Sequence, residues 1–121
     1  MTYRKLGPSN LKVSEISLGT HLTIGQTLPL ATAETCVRTA LDLGINLFDT
    51  ADTYGYGKAE ETLGHILGAV NRETFIVTTK CFFPMSDDPG DKGLSRHHIF
   101  NPHSPYRTPR VLVWIDVNYY N

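Results

Sequence analysis

An α/β fold built on a parallel sheet is what this sequence predicts, and two observations predict it. The first is alternation. Short apolar, β-branched runs at 16–18, 45–48 and 74–79 are separated by helix-period stretches, each about ten to fifteen residues long, the length of a helical crossover. The second is where those runs stop: one ends on a carboxylate, Asp49, and the next on an amine, Lys80. Between them a polar, glycine-rich turn carries a phenol, Tyr54. Helical crossovers make neighbouring strands parallel, so residues ending the strands gather at one rim. In an α/β barrel that rim faces the open mouth.

The first element is a hairpin. Tyr3–Leu6 and Leu11–Val13 flank Gly7-Pro8-Ser9-Asn10, a turn sequence with proline suited to its second position. Ile16–Leu18 reads as the first strand of the parallel sheet and ends in Gly19-Thr20. Glycine there lets backbone approach a ligand closely, and plain turn chemistry accounts for it equally. His21–Leu30 is a loop. Thr32 is the expected N-cap of the first helix, with Glu34 favourable in its first turn. Ala33, Val37, Ala40 and Leu41 form its apolar stripe, and Gly44 is its C-cap glycine. The strand Ile45–Phe48 follows directly. Gly57 precedes a second helix from Lys58 to about Gly68, with Ala59, Leu63, Ile66 and Leu67 on one face. Asn71–Glu73 leads into the strand Thr74–Thr79.

Beyond Lys80 the pattern changes. Phe82–Lys92 is a loop with two prolines and several acids. Ser95 is placed to cap a short helix, Arg96–Phe100, and the adjacent His97-His98 reads as a solvated helix start. Pro102, Pro105 and Pro109 then break helical order, since interior proline costs a helix about 3 kcal/mol. Val111–Val117 returns as an apolar, strand-like run. Neither an internal repeat nor a low-complexity tract interrupts the chain.

Composition narrows the class. The chain has 121 residues, one ordinary domain's worth and too few for an eight-unit barrel of roughly 250. Apolar residues make up 40% and charged residues 19%, a globular rather than disordered balance. A net charge of −1 supplies no field for nucleic acid or an anionic membrane. No apolar run approaches the ~20 residues of a membrane span, and no signal-peptide pattern opens the chain. A cytoplasmic protein is the expectation, with Cys36 and Cys81 as reduced packing thiols. The histidines, His21, His65, His97, His98 and His103, lack metal-ligand spacing, so no metal is expected.

The rim residues admit a specific chemistry. An ammonium close to a phenol favours the phenolate, and a carboxylate beside the ammonium keeps it charged and in place. Tyrosine starts near a pKa of about 10, so such help is what a tyrosine acid needs near neutrality. Proton donation by Tyr54 suits carbonyl reduction, with the hydride coming from a nicotinamide cofactor because no side chain can supply one. On spacing alone the plain alternatives stay open: Asp49 as a turn or cap residue, Lys80 as a solvated strand end, Tyr54 as a loop aromatic. Gly55-Tyr56-Gly57 is not a dinucleotide fingerprint, because Glu60 stands where the third glycine belongs.

Longer motifs carry a resemblance. Gly44-Ile-Asn-Leu-Phe-Asp-Thr-Ala-Asp-Thr-Tyr-Gly-Tyr-Gly-Lys-Ala-Glu60 resembles the aldo-keto reductase family. So do Tyr3-Arg4-Lys5-Leu6-Gly7, Leu18-Gly19-Thr20, Ile76-Val77-Thr78-Thr79-Lys80 and Gly93-Leu94-Ser95-Arg96. The branch it resembles contains the potassium-channel β-subunits and their microbial and plant relatives. The resemblance implies a TIM barrel, NADPH, and reduction of aldehydes and ketones, small carbonyl substrates, to alcohols. The family's aspartate, tyrosine acid and lysine fall on Asp49, Tyr54 and Lys80. Its cofactor contacts fall on Gly19, Thr20, Gln26 and Asp49, and His21 stands where that branch usually has an aromatic.

The departures shape a second expectation. Trp114–Asn121 resembles the family's fourth strand, and the sequence stops just before the family's histidine. The third crossover helix is replaced by the proline-rich stretch. The expected architecture is therefore a partial TIM (β/α)8 barrel, an N-terminal hairpin plus about three to four βα units. Residues 1–100 form the N-terminal part of an NADP-dependent oxidoreductase barrel, and 101–121 a divergent tail with a fourth strand. The polypeptide by itself is expected to reduce carbonyls weakly or not at all. The alternative is a non-catalytic fragment or interaction module that pairs with a full-length relative, or with itself, through open sheet edges.

Overall fold

The structure, a computed structural model, describes residues 1–100. The proline-rich tail, the strand-like run 111–117 and the fourth-strand resemblance lie outside the described residues.

The chain starts with the expected hairpin. Strands β1 (Tyr3–Lys5) and β2 (Lys12–Ser14) pair antiparallel, with Tyr3 opposite Ser14 and Lys5 opposite Lys12. Polar side chains then anchor this hairpin to one end of the main sheet. The Ser14 N–H donates to Asn46 Oδ1 at 2.7 Å, and the Asn46 N–H donates to Ser14 Oγ at 3.1 Å. Asn46 Nδ2 donates to the Lys12 carbonyl at 2.9 Å, and the Tyr3 hydroxyl to the Gly44 carbonyl at 2.8 Å. All of these contacts fall just before the central strand begins. The hairpin therefore occupies the end of the sheet opposite the rim where Asp49 and Lys80 stand.

The main sheet has three parallel strands in the order β3 (Leu18–Gly19), β4 (Leu47–Asp49), β5 (Ile76–Thr78). Gly19 lies opposite Asp49, and Asp49 opposite Thr78. These strands are shorter than the apolar runs that announced them. Ile45, expected in β4, is held by helix α1 (Leu30–Asp42), because its N–H donates to the Ala40 carbonyl at 2.9 Å. Asn46, next to it, gives its N–H and side chain to the hairpin, while its carbonyl accepts from the Ile76 N–H at 2.7 Å. Beyond the strands the ladder continues in single bonds, from the Thr20 N–H to Asp49 O and from the Thr50 N–H to Thr78 O.

Helix α1 crosses from β3 to β4, and α2 (Lys58–Leu67) from β4 to β5. The start of α1 corrects the expected N-cap. Pro29, not Thr32, holds that position, and its carbonyl accepts from the N–H groups of both Thr32 and Ala33 at 3.0 Å. Proline presets the backbone angle that feeds a helix and has no N–H to leave unsatisfied. Thr32 and Glu34 thus lie inside the helix, where Glu34 pairs with Arg38 at 2.7 Å on the exposed side. The stripe holds: Ala33, Val37 and Ala40 are buried, and Leu41 packs against them.

Gly44 ends α1 as expected, in a Schellman arrangement: its N–H donates to Leu41 O while Ile45 donates to Ala40 O. Its φ of +84° is one that side chains resist, and an added Cβ would lie 2.9 Å from the Tyr3 hydroxyl. Gly44→Ala is expected to cost about 1–2 kcal/mol, the left-handed penalty, before any displacement of Tyr3. Thermal unfolding checks this; an unchanged Tm would show that the turn relaxes freely.

The core lies between the helices and one face of the sheet. Val37, Phe48, Leu63, Ile66, Phe75 and Val77 share it, and Phe48 meets the Phe75 ring edge-on at 6.4 Å. Because strand side chains alternate, Asp49 and Thr78 belong to the opposite face. Among the described residues no helix is long and apolar enough to cross a membrane, and no cluster of three metal-binding side chains occurs. Cys81 is buried and Cys36 exposed; neither forms a disulfide, and only Cys81 fits the packing-thiol expectation.

Candidate active site

The site is assembled by the ends of β4 and β5 and the turn that leaves β4. Asp49 is the last residue of β4 and Lys80 stands two residues past β5. The register places Asp49 beside Thr78, so the lysine reaches back across a single strand spacing. Lys80 Nζ donates to both Asp49 carboxylate oxygens at 2.8 Å and to the Thr50 carbonyl at 2.9 Å. Those three acceptors match the three N–H bonds of an ammonium. Thr78 Oγ1 adds a donor to Asp49 Oδ1 at 3.1 Å. The pair is only half-buried, with side-chain exposures of 31% for Lys80 and 37% for Asp49. An ion pair so wetted contributes little stability. What it fixes is geometry.

Tyr54 completes the cluster. Its backbone is held in the turn by donation to Ala51 O at 3.1 Å, and its carbonyl accepts from the Ala59 N–H at the start of α2. Lys80 Nζ lies 5.2 Å from the centre of the Tyr54 ring, within cation–π range. The ammonium, with its donors engaged by Asp49 and Thr50, thus meets the phenol through the ring. On the tyrosine's other contact, the His21 ring stacks tilted at 4.6 Å. The structure therefore brings Asp49, Lys80 and Tyr54 to one rim.

The remaining residues singled out from the sequence are placed less uniformly. Gly19 is exposed at the end of β3, with open space where a side chain would stand. Gln26 lies against the tyrosine turn, so close that a Cβ on Gly55 would fall 2.7 Å from its Cγ. Thr20 is fully buried, its Oγ1 3.0 Å from Thr50 Oγ1 and 3.2 Å from Asp49 O. Its hydroxyl braces the rim from beneath.

Comparison with known proteins adds a decisive observation. The family model described as the aldo/keto reductase family matches residues 15–102. The chain belongs to the aldo/keto reductase family. Two plant proteins, each named a probable voltage-gated potassium channel subunit beta, from Arabidopsis thaliana and from Oryza sativa subsp. japonica, are 40% identical over 101 residues. Each alignment covers 82% of this chain and 30% of the relative. A solved structure from Pseudomonas aeruginosa, assigned as an aldo-keto reductase, shares 41% identity at a TM-score of 0.59, covering 66% of this chain and 31% of that one. The α/β class, the parallel sheet and the link to the channel-subunit branch agree with the sequence reading. This aldo/keto reductase chain spans about a third of the length of the relatives it matches.

Sequence reasoning missed part of the site's support in this aldo/keto reductase chain. Thr78 and the Thr50 carbonyl are within hydrogen-bond distance of the ion pair, and only the register reveals them. Thr79 donates to the buried Glu60 of α2 at 2.5 Å, fastening that helix to the strand end. One expectation is overturned. His98 is not solvated: it is 3% exposed, with Nδ1 3.1 Å from Asp91 Oδ1 and Nε2 3.6 Å from Asp52 Oδ2. The short helix α3 (Arg96–Phe100) begins as expected at Ser95, whose Oγ accepts from the His98 N–H at 3.0 Å. That cap orients the first turn, and Asp91, 3.1 Å from Nδ1, is the hydrogen-bonding partner that makes burial of an imidazole tolerable, while Nε2 faces Asp52 Oδ2 beyond hydrogen-bond distance.

Proposed function

We propose that these residues form the proton-delivering rim of an NADPH-dependent reductase of small aldehydes and ketones, within the opening portion of a TIM barrel. The observation that carries the reading is the convergence of Asp49, Lys80 and Tyr54: a two-oxygen grip at 2.8 Å with the same ammonium 5.2 Å from the phenol ring. Family membership supplies the reaction class, oxidoreduction. Tyr54 gives its hydroxyl proton to the carbonyl oxygen. Lys80, held in place by Asp49 and Thr50, opposes the negative charge that develops on the phenol oxygen as the proton leaves. The open space at Gly19, next in register to Asp49, suits a flat ring lying against backbone. Gly19, Thr20, Gln26 and Asp49 are the residues that would hold such a cofactor. When bound, the nicotinamide supplies the hydride.

The chain's span bears on the test. The relatives it matches are about three times as long, so the 121-residue polypeptide assayed by itself is expected to turn over weakly or not at all. Co-expression with the remaining segment of a matching relative should restore aldehyde-dependent oxidation of NADPH. A well-folded complex that consumes no NADPH with any of a panel of aldehydes and ketones would sink the reading.

A second reading rests on a different observation. Among the described residues β3 and β5 pair on one side only, leaving two sheet edges able to accept a strand from another chain. A non-catalytic module that docks through those edges would associate in the same co-expression and remain inert.

A further inference from the structure

His98 is a buried imidazole that the proposed chemistry does not use, and it joins three segments. Its own segment is the start of α3. Through Nδ1 it meets Asp91, 3.1 Å away, in the loop that follows Lys80. Through Nε2 it faces Asp52 Oδ2, 3.6 Å away in the turn that leaves β4, an approach beyond hydrogen-bond distance between two buried polar atoms. Asp52 is two residues before Tyr54, and its N–H donates to the Lys80 carbonyl at 3.1 Å. The same turn holds Tyr54 through the bond to Ala51 O. The loop on the other side is itself closed, by donation from the Gly93 N–H to Phe82 O at 2.7 Å and from Met85 to Asp91 O at 3.2 Å. His98 and Asp52 are both buried, at 3% and 8% exposure, where a polar contact has few competitors from water.

We propose that His98 is a positioning residue for Tyr54: by clamping Asp52 against the closed loop after Lys80, it fixes the turn that holds the phenol over the ammonium. The clamp acts through Asp52 and touches no reacting atom. Without it the turn keeps its backbone bonds but loses its buried anchor, and Tyr54 samples positions away from Lys80. The consequence for catalysis rests on the reading of Tyr54 as the acid, whereas the placement can be measured without turnover.

The test uses the full 121-residue chain with 3-fluorotyrosine at position 54 only, read by ¹⁹F NMR, and amide hydrogen exchange as a second measurement. His98→Ala is expected to move the resonance toward that of exposed fluorotyrosine, as Lys80→Met does, while His97→Ala on the exposed side of α3 leaves it in place. Exchange at the Asp52 and Tyr54 amides should speed about tenfold, with the Thr50 amide, bonded to Thr78, changing less than about twofold. Asp91→Asn, close to isosteric, should move the resonance in the same direction and serves where His98→Ala does not fold. An unmoved resonance in the folded His98 and Asp91 variants, with Lys80→Met shifted, overturns the clamp and leaves the rim intact. Uniform acceleration at all three amides overturns it too, since His98 then holds the fold at large. A resonance that answers to His98 but not to Lys80 keeps the clamp and removes the rim reading instead.

Discussion

Replacing Tyr54 by phenylalanine is expected to lower kcat for aldehyde reduction about 10²–10⁴-fold in the reconstituted protein, the range of a lost general acid. The substitution is nearly silent for structure. The ring keeps its stack on His21 at 4.6 Å and its place 5.2 Å from Lys80 Nζ, since both contacts are made by the ring. Only the proton donor is gone. KM for the carbonyl should therefore change little, which marks an interaction realised in the transition state rather than on binding. Lys80→Met should also reduce kcat, because Asp49 would then face the site with Thr78 as its remaining side-chain donor among the described contacts. The two losses should not add in the double variant, since the lysine acts through the tyrosine. Steady-state assay of the single and double variants checks both points. A Tyr54→Phe protein with unreduced kcat would remove the tyrosine from the mechanism.

Phe48→Ala is expected to destabilise the chain by about 3–5 kcal/mol, which approaches the whole stability of a marginal domain. Phe48 is the middle residue of the middle strand and has no solvent exposure. Its ring faces both crossover helices and meets Phe75 edge-on, a contact worth about 0.5–1.5 kcal/mol beyond buried area. Truncation would leave a cavity bounded by two helices and two neighbouring strands, which cannot all close in together. The next residue is Asp49, so loosening β4 would also move the carboxylate end of the site. Urea denaturation of the variant measures the effect, and a loss below about 1 kcal/mol would place the centre of the core elsewhere.

The hairpin, both crossover helices, the three parallel strands and the rim trio were legible before any coordinates, and for local reasons. Ala33, Val37 and Ala40 recur at the helical period whatever they pack against, and Gly44 stops a helix by its own backbone freedom. Where local signals competed, the weaker one was easy to favour. Thr32 has the right side chain for an N-cap, but Pro29 three residues earlier has the right backbone, and backbone geometry decided. The apolar runs extend past the strands because they do not record that the Ile45 N–H goes to a helix end and the Asn46 N–H and side chain to the hairpin.

The alternation of strand and helix, and the choice of an acid, a phenol and an amine to end or follow the strands, belong to the sequence, because each depends on neighbours only a few positions away. That Lys80 closes on an aspartate 31 residues earlier, that Thr20 turns inward, and that His98 is buried against Asp52 were decided by tertiary structure. The physical reason is that parallel pairing joins segments separated by a whole crossover helix. Register across that gap is set by packing of the two helices on the sheet, a collective property that no short stretch of chain contains.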